Sequence, residues 1–132
     1  MHRTLVTAVI PVYAREDVFG TLEALGGFPR AGAELRAIVV DNGNGEALSE
    51  RLAGLPRRHG WCTVVRLREN RGGAGAFRAG MMAALRRGAD FVWLLDDDAA
   101  VDAGTLPGLL AEFLRLEGQG VRVGAVGSAL LG

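Results

Sequence analysis

The sequence predicts an α/β fold with three layers, α/β/α, around a mainly parallel sheet. Strand-like and helix-like segments alternate along the 132 residues, an order that places helices on the faces of a parallel sheet. The strand-like segments are nearly all apolar, as strands covered on both faces are. Polar clusters follow the first four strands, at the edge where open parallel sheets bind ligands. The length allows one domain, so residues 1–132 are expected to form a single unit.

Five segments are predicted to be strands because they are short, apolar and rich in β-branched or aromatic residues. The first, "TLVTAVIPV", contains no charged residue, and the fourth, "DFVWLL", ends directly before three aspartates. The complete set of predicted strands is 4–12, 35–42, 63–68, 90–95 and 121–131.

Four segments are predicted to be helices because their apolar residues recur every three or four positions. In the first of them, Val18, Leu22 and Leu25 share one face. Gly54 and Pro56 are expected to end the second. The complete set of predicted helices is 16–27, 46–56, 75–88 and 103–118.

Composition excludes several classes of protein. All 15 basic residues are arginine, and they balance 15 acidic residues, so bulk charge gives no support to a nucleic-acid partner. The absence of lysine disfavours P-loop proteins, short-chain dehydrogenases, phosphate-receiver domains and haloacid-dehalogenase-type phosphatases, which normally use one.

The sequence contains no segment that resembles a signal peptide at its N-terminus. It also contains no apolar run near the roughly 18 residues that span a membrane. The cytoplasm is therefore the expected location.

The sulfur-containing residues are expected to be structural. Cys62 is the one cysteine, which rules out an internal disulfide and a thiolate metal cluster. It precedes a strand-like run and is predicted to be a buried, inert thiol. Met81 and Met82 are predicted to take part in helix packing.

Three aspartates, Asp96, Asp97 and Asp98, follow the apolar run "FVWLL". If the extended conformation continues, Asp96 and Asp98 lie on one side and Asp97 on the other. Two converging carboxylates are suitable ligands for Mg²⁺ or Mn²⁺, and the cation could then hold a diphosphate. The alternative is a solvated acidic turn or a set of helix caps. The position at the end of a strand favours the metal site.

The stretch "NRGGAGAFRAG" (70–80) forms a second cluster. Gly72, Gly73 and Gly75 allow a ligand to approach the backbone, and the helix that they open favours anions at its N-terminus. A Rossmann dinucleotide fingerprint does not fit, because its glycines follow the first strand and these follow the third. An ordinary loop with a helix cap remains an alternative.

Two further clusters complete the edge. Tyr13 and Arg15 follow the first strand, and Asp41 and Asn42 end the second. Asp41 could accept hydrogen bonds from a nucleobase or a ribose, or it could form an Asx-type turn before the next helix. Four polar clusters at one edge predict one site.

Together, four segments in this order resemble family 2 glycosyltransferases of the GT-A fold, and in particular the bacterial subgroup of galactofuranosyl- and rhamnosyltransferases. The segments are "VTAVIPVYAR", "IVVDNGNG", "NRGGAGAFRAG" and "FVWLLDDDA". The resemblance implies the Rossmann-like nucleotide-binding half of a GT-A fold. It implies a UDP- or dTDP-sugar donor, Mn²⁺ or Mg²⁺ as cofactor, and inverting transfer to a glycan or lipid-linked acceptor in cell-wall or polysaccharide biosynthesis.

The resemblance also implies roles for individual residues. Asp41 would contact the base, Asp96 would lie near the ribose and the metal, and Asp98 would be the main metal ligand. The nucleotide pocket would be lined by Pro11, Val12 and Tyr13. The wall beside the nucleoside would be formed by Asn70, Gly72 and Gly73.

The sequence departs from the family pattern after the aspartates. The family's general base normally lies in a second half of the protein, and neither Glu112 nor Glu117 has its context. The expectation is a donor-binding half, truncated before the acceptor half and inactive alone. Its exposed apolar surface favours a homodimer, and the full-length protein would be cytoplasmic or bound to the inner face of the membrane.

Two other functions remain open. One is a non-catalytic nucleotide-binding or protein-interaction module, which the missing second half motivates. The other is a sugar-nucleotide nucleotidyltransferase, which is disfavoured because the chain lacks a glycine-rich opening after the first strand and lacks lysine.

Overall fold

The computed structural model describes residues 3–30, 32–120 and 122–124. Their strands are β1 (Leu5–Val12), β2 (Glu34–Asn42), β3 (Cys62–Leu67) and β4 (Phe91–Leu94). They form one parallel sheet in the order β3-β2-β1-β4. Because the strands are parallel, all four carboxyl ends lie at the same edge.

Helices cover both faces of the sheet, which confirms the predicted three layers. The helices are α1 (Asp17–Gly26), α2 (Glu46–Ala53), α3 (Leu55–Arg58), α4 (Gly72–Arg86) and α5 (Thr105–Gly118). On one face, apolar side chains of α1, α2 and α3 pack with Ala8, Ile10 and Val12, and α5 packs through Leu106 beside Val6. On the other face, α4 packs with Val9 and its neighbours.

Three predicted elements differ from the structure by more than one or two residues at a boundary. The helix predicted for 46–56 is two helices, since Pro56 lies in the first turn of α3, where a missing N–H costs nothing. The helix predicted to begin at residue 75 begins at Gly72, so the glycine-rich turn is its first turn. The strand predicted for 121–131 lies outside the described residues except for 122–124, which are not in a strand.

The prediction that Met81 and Met82 pack inside the protein is wrong. They are 36% and 42% exposed, because α4 buries the narrow stripe Ala76, Gly80 and Ala84 against the sheet. Small residues bring a helix close to a sheet, and the larger side chains then lie on the outer face.

The prediction for Cys62 is confirmed. The thiol is buried at the start of β3, and burial raises its pKa to about 11. Only a thiolate is nucleophilic, so this thiol is inert at neutral pH.

A membrane span was also sought among the described residues. None of their helices is both long and apolar enough to cross a bilayer.

Candidate functional site

Hydrogen bonds join the polar clusters at the carboxyl edge of the sheet. The sheet order places β1 between β2 and β4. The segment after β1 therefore reaches in both directions: the Ala14 N–H donates to Asn44 Oδ1 (2.7 Å), and Arg15 contacts Asp98. Asn42, at the end of β2, bonds to the turn that opens α4. The predicted convergence at one edge is what the structure shows.

The three aspartates lie in a turn. β4 ends at Leu94, and the Ala99 N–H donates to the Asp96 carbonyl (3.1 Å), so the strand does not continue as expected. The predicted separation of the carboxylates onto two sides depended on a continuing strand. In the turn, Asp96 and Asp98 are exposed, Asp97 is 8% exposed, and Arg15 contacts both Asp97 and Asp98. The Thr21 hydroxyl fixes the turn by donating to the Asp97 carbonyl (2.7 Å).

Arg15 is the main cation among these carboxylates. Its Nη2 lies 2.7 Å from Asp98 Oδ2 and 3.0 Å from Asp17 Oδ2, and its Nε lies 3.5 Å from Asp97 Oδ2. The sequence analysis placed Arg15 in a polar cluster but assigned it no role. The signal was an arginine two residues after Tyr13, at a strand's carboxyl end. Its partners could not be identified without the strand order.

The three carboxyl groups are electrostatically unequal. The hydrogen bond from Arg15 lowers the pKa of Asp98 below its usual value. Burial raises the pKa of Asp97, with further raising by Asp98, Asp17 and Asp96 and partial compensation by the Arg15 charge. Asp98 is thus held in its charged form, as a cation ligand must be.

Asp41 is buried and takes part in a local turn. Its Oδ1 accepts hydrogen bonds from the Asn44 side chain (2.7 Å) and the Asn44 N–H (3.3 Å). Its Oδ2 lies 3.9 Å from Arg66 Nε, and the residue is 1% exposed. This is the Asx-type alternative of the sequence analysis; the contact with a base stays a prediction.

Asn44 was missed by the sequence analysis and links two strand ends. Besides its bonds to Asp41 and Ala14, its Nδ2 donates to the Val12 carbonyl (2.8 Å). Ala14 has a φ of 56°, a strained conformation for a residue with a side chain. Asn44 satisfies its N–H there and so supports the turn that carries Arg15.

Asn42 organises the glycine-rich turn. Its Oδ1 accepts the Arg71 N–H (2.9 Å), and its Nδ2 donates to Asn70 Oδ1 (3.1 Å). Asn70 Oδ1 also accepts the Gly72 N–H (2.7 Å). Asn70, Gly72 and Gly73 are exposed, and a side-chain carbon placed on either glycine would meet no atom within 4 Å. The turn therefore leaves an open surface at the N-terminus of α4.

The residues predicted to line the pocket after β1 differ in accessibility. Val12 is fully buried, and Pro11 is half-buried. Tyr13 is 51% exposed at the same edge. Tyr13 is thus the member of this group whose side chain can cover a ligand.

The carboxylates at this edge suit a cation that also keeps ligands from outside the protein. Within the described ranges, no three His, Cys, Asp or Glu side chains come together as a complete metal site. Asp96 and Asp98 present exposed carboxylates at the edge. Mg²⁺ typically binds through one or two carboxylates with phosphate oxygens and water, so these residues suit a metal shared with a diphosphate.

Solved structures of other proteins share this fold. TarS of S. aureus (residues 1–349), in complex with UDP-GlcNAc, matches with a TM-score of 0.68 and 21% identity, over 86% of this chain and 32% of that one. The mannosyltransferase PcManGT of Pyrobaculum calidifontis, in complex with GDP-Man and Mn²⁺, matches with a TM-score of 0.65 and 24% identity, over 85% and 33%. The fold is that of GT-A glycosyltransferases.

Proteins of similar sequence are also glycosyltransferases. The galactofuranosyltransferase GlfT1 of Mycolicibacterium smegmatis is 40% identical over 98 residues, 74% of this chain and 31% of the relative. GlfT1 of Mycobacterium tuberculosis is 44% identical over 110 residues, 80% and 34%. The chain thus spans about a third of the length of these relatives. The model of glycosyl transferase family 2 matches residues 7–127, and the chain belongs to that family.

Proposed function

We propose that the chain binds a UDP- or dTDP-sugar at the carboxyl edge of the sheet, with Mn²⁺ or Mg²⁺ on Asp96 and Asp98. The observation that carries this proposal is the pair of exposed carboxylates at the same edge of the sheet as the open N-terminus of α4. A helix N-terminus favours anions, and a cation on the carboxylates would complement it on the diphosphate. The complexes of TarS with UDP-GlcNAc and of PcManGT with GDP-Man and Mn²⁺ support it.

The chain's residues have distinct tasks in this proposal. Tyr13 covers the nucleotide, and Asn70, Gly72 and Gly73 form the wall beside the nucleoside, to which the backbone can come close. Asp41 reads the base, for which its hydrogen bonds to Asn44 hold it in place. The bound cation supplies charge that offsets the negative charge of the leaving nucleoside diphosphate.

The complete reaction in this proposal is inverting transfer of the sugar to a glycan or lipid-linked acceptor. The resemblance assigns the general base to a second half of the protein, and Glu112 is paired with Arg115 on α5. Residues 1–132 are therefore expected to bind the sugar donor without efficient transfer. A cytoplasmic location and a homodimer complete the proposal.

Calorimetry with UDP and dTDP tests the binding. We expect weak binding that requires Mn²⁺ and that Asp98→Ala reduces at least tenfold, because one charged metal ligand contributes more than about 1.4 kcal/mol. Glu112→Ala is the matched control, since it removes another exposed carboxylate paired with an arginine (2.6 Å to Arg115). It should leave binding unchanged.

Three results would contradict the proposal. They are no binding by the folded wild type, equal binding by Asp98→Ala, and binding that EDTA does not change. Release of pyrophosphate from a nucleoside triphosphate would favour the nucleotidyltransferase instead.

Arg15→Met is expected to tighten binding of Mn²⁺ in the absence of nucleotide. The guanidinium shares Asp98 Oδ2 at 2.7 Å, so a cation must compete with it for that oxygen. An exposed ion pair is worth at most about 1 kcal/mol, which predicts roughly a fivefold gain in affinity. Titration of free Mn²⁺ by electron paramagnetic resonance measures it.

Arg115→Met is the control for this effect, because it removes the same type of side chain from an ion pair on α5. It should leave Mn²⁺ affinity at the wild-type value. Weaker binding by Arg15→Met would show that Arg15 supports the metal site rather than competing with the cation.

A further inference from the structure

We propose that the outer surface of α4 docks onto an anionic lipid membrane, with the helix lying along the headgroups. This surface consists of Arg71, Arg78, Met81, Met82, Leu85 and Arg86. Of these residues, Arg71 alone also belongs to the glycine-rich turn of the proposed nucleotide site, and no residue of the aspartate turn takes part in the docking.

The charge of this segment differs from that of the chain as a whole. Residues 71–89 contain four arginines and no acidic residue, whereas the whole chain has a formal net charge of zero. The ion pairs formed among the described residues involve none of Arg71, Arg78, Arg86 and Arg87. The segment is therefore an uncompensated positive patch.

Large apolar side chains lie among these arginines. Met81, Met82 and Leu85 are 36%, 42% and 61% exposed, and they make up three of the six large apolar side chains that the described residues expose. Leu94, a fourth, is 48% exposed and pairs with Val9, which faces α4. Exposed apolar side chains concentrated in this way mark an interaction surface.

Helical spacing places the arginines and the large apolar residues on the same side of α4. The buried stripe Ala76, Gly80 and Ala84 advances by four residues at each step and faces the sheet. Arg78, Met82 and Leu85 stand at i, i+4 and i+7, the spacing of a common face, about half a turn away from that stripe. The outer surface thus mixes cationic and apolar groups along its length.

The mixture favours a membrane over other partners. A nucleic acid would account for the arginines but not for the methionines and leucine between them. Protein interfaces also contain Arg and Met, but a second copy of this surface would bring its own arginines against these, and like charges repel. A helix at a bilayer surface uses both, since apolar side chains enter the acyl boundary while arginines pair with lipid phosphates. Among the described elements, α4 alone covers its face of the sheet, so a flat surface can reach it.

Co-sedimentation with vesicles tests the proposal. We expect the 132-residue chain to bind vesicles of phosphatidylcholine with phosphatidylglycerol and not vesicles of phosphatidylcholine alone. Binding should fall at high salt because charge contributes to it. Arg78→Glu should lower the partition coefficient roughly tenfold, since it removes one attraction and adds a repulsion. The double substitution of Met82 and Leu85 by Ser should lower it as well.

Matched controls come from exposed residues elsewhere. Arg57→Glu reverses the charge of an exposed arginine in α3, and Leu114→Ser removes the apolar side chain that is 67% exposed on α5. Both should bind like the wild type, and circular dichroism should show that every variant is folded.

Some outcomes would overturn the proposal. These are absence of binding, equal binding to neutral and anionic vesicles, or wild-type binding by Arg78→Glu. Another is a wild-type dimer in sedimentation velocity that the Met82 and Leu85 substitutions dissociate, since the surface would then be a contact between two copies.

Discussion

Gly43→Ala is expected to lower the free energy of unfolding by about 3 kcal/mol and to weaken nucleotide binding. Gly43 has a φ of +72°, and a residue with a side chain there costs about 1–2 kcal/mol. An added Cβ would also overlap the Asn70 nitrogen and the Glu69 carbonyl carbon, and would lie 2.8 Å from Glu69 Cα. These are backbone atoms that cannot rotate away, so the overlap adds a further cost of about 1–3 kcal/mol. Urea denaturation measures the total.

Gly88→Ala separates the cost of backbone strain from the cost of the Cβ overlap. Gly88 has a φ of +84° but meets no atom within 4 Å, so its substitution costs only the backbone strain. The difference between the variants reports how closely β2 approaches the turn before α4. Equal losses of stability would contradict that close approach.

Gly43→Ala should also weaken nucleotide binding, because the overlap pushes the turn before α4 away from β2. Asn42 would then lose its hydrogen bonds to Asn70 and the Arg71 N–H. Nucleotide affinity of Gly43→Ala should fall, and that of Gly88→Ala should not.

Gly80→Ala is expected to destabilise the protein even though it improves helix propensity. A Cβ at Gly80 would overlap Val9 Cγ1 and lie 2.9 Å from Val40 Cγ2, where α4 crosses β1 and β2. Overpacking of a core costs about 1–3 kcal/mol, and replacing a helical glycine by alanine returns at most about 1 kcal/mol. The net expectation is a loss of about 1 kcal/mol, and of about 2 kcal/mol at the upper end, measured by urea denaturation.

Gly20→Ala is the matched substitution in α1. Gly20 is also inside a helix, but a Cβ there would meet nothing within 4 Å. We expect a gain of about 0.5–1 kcal/mol from helix propensity alone. If both substitutions stabilise the protein, α4 does not pack as closely on the sheet as described.

The sequence analysis predicted the fold class and all four strands of the described sheet. These predictions rest on local patterns: apolar runs, helical spacing, and polar residues where each strand ends. It expected the extended strand to continue through the aspartates, whereas β4 ends at Leu94. It could not predict the turn at Asp97, which depends on the bond from Thr21, distant in sequence.

The supporting residues of the site were not predicted for the same reason. Asn42 and Asn44 act through hydrogen bonds to segments about 30 residues away. Nothing in their own surroundings distinguishes them from ordinary turn residues. Their roles follow only once β1, β2 and the turn before α4 are neighbours.

By itself the sequence determined the alternation of strands and helices, the polar edge and the membership of glycosyl transferase family 2, because each is encoded in local spacing or in ordered motifs. The tertiary structure decided which strands are neighbours. By placing β1 beside β4, it brought Arg15 to Asp98. It also decided that Met82 faces outward, since only the packing of Gly80 against Val9 shows which side of α4 meets the sheet. Such pairings join residues distant in the chain, and local periodicity carries no information about them.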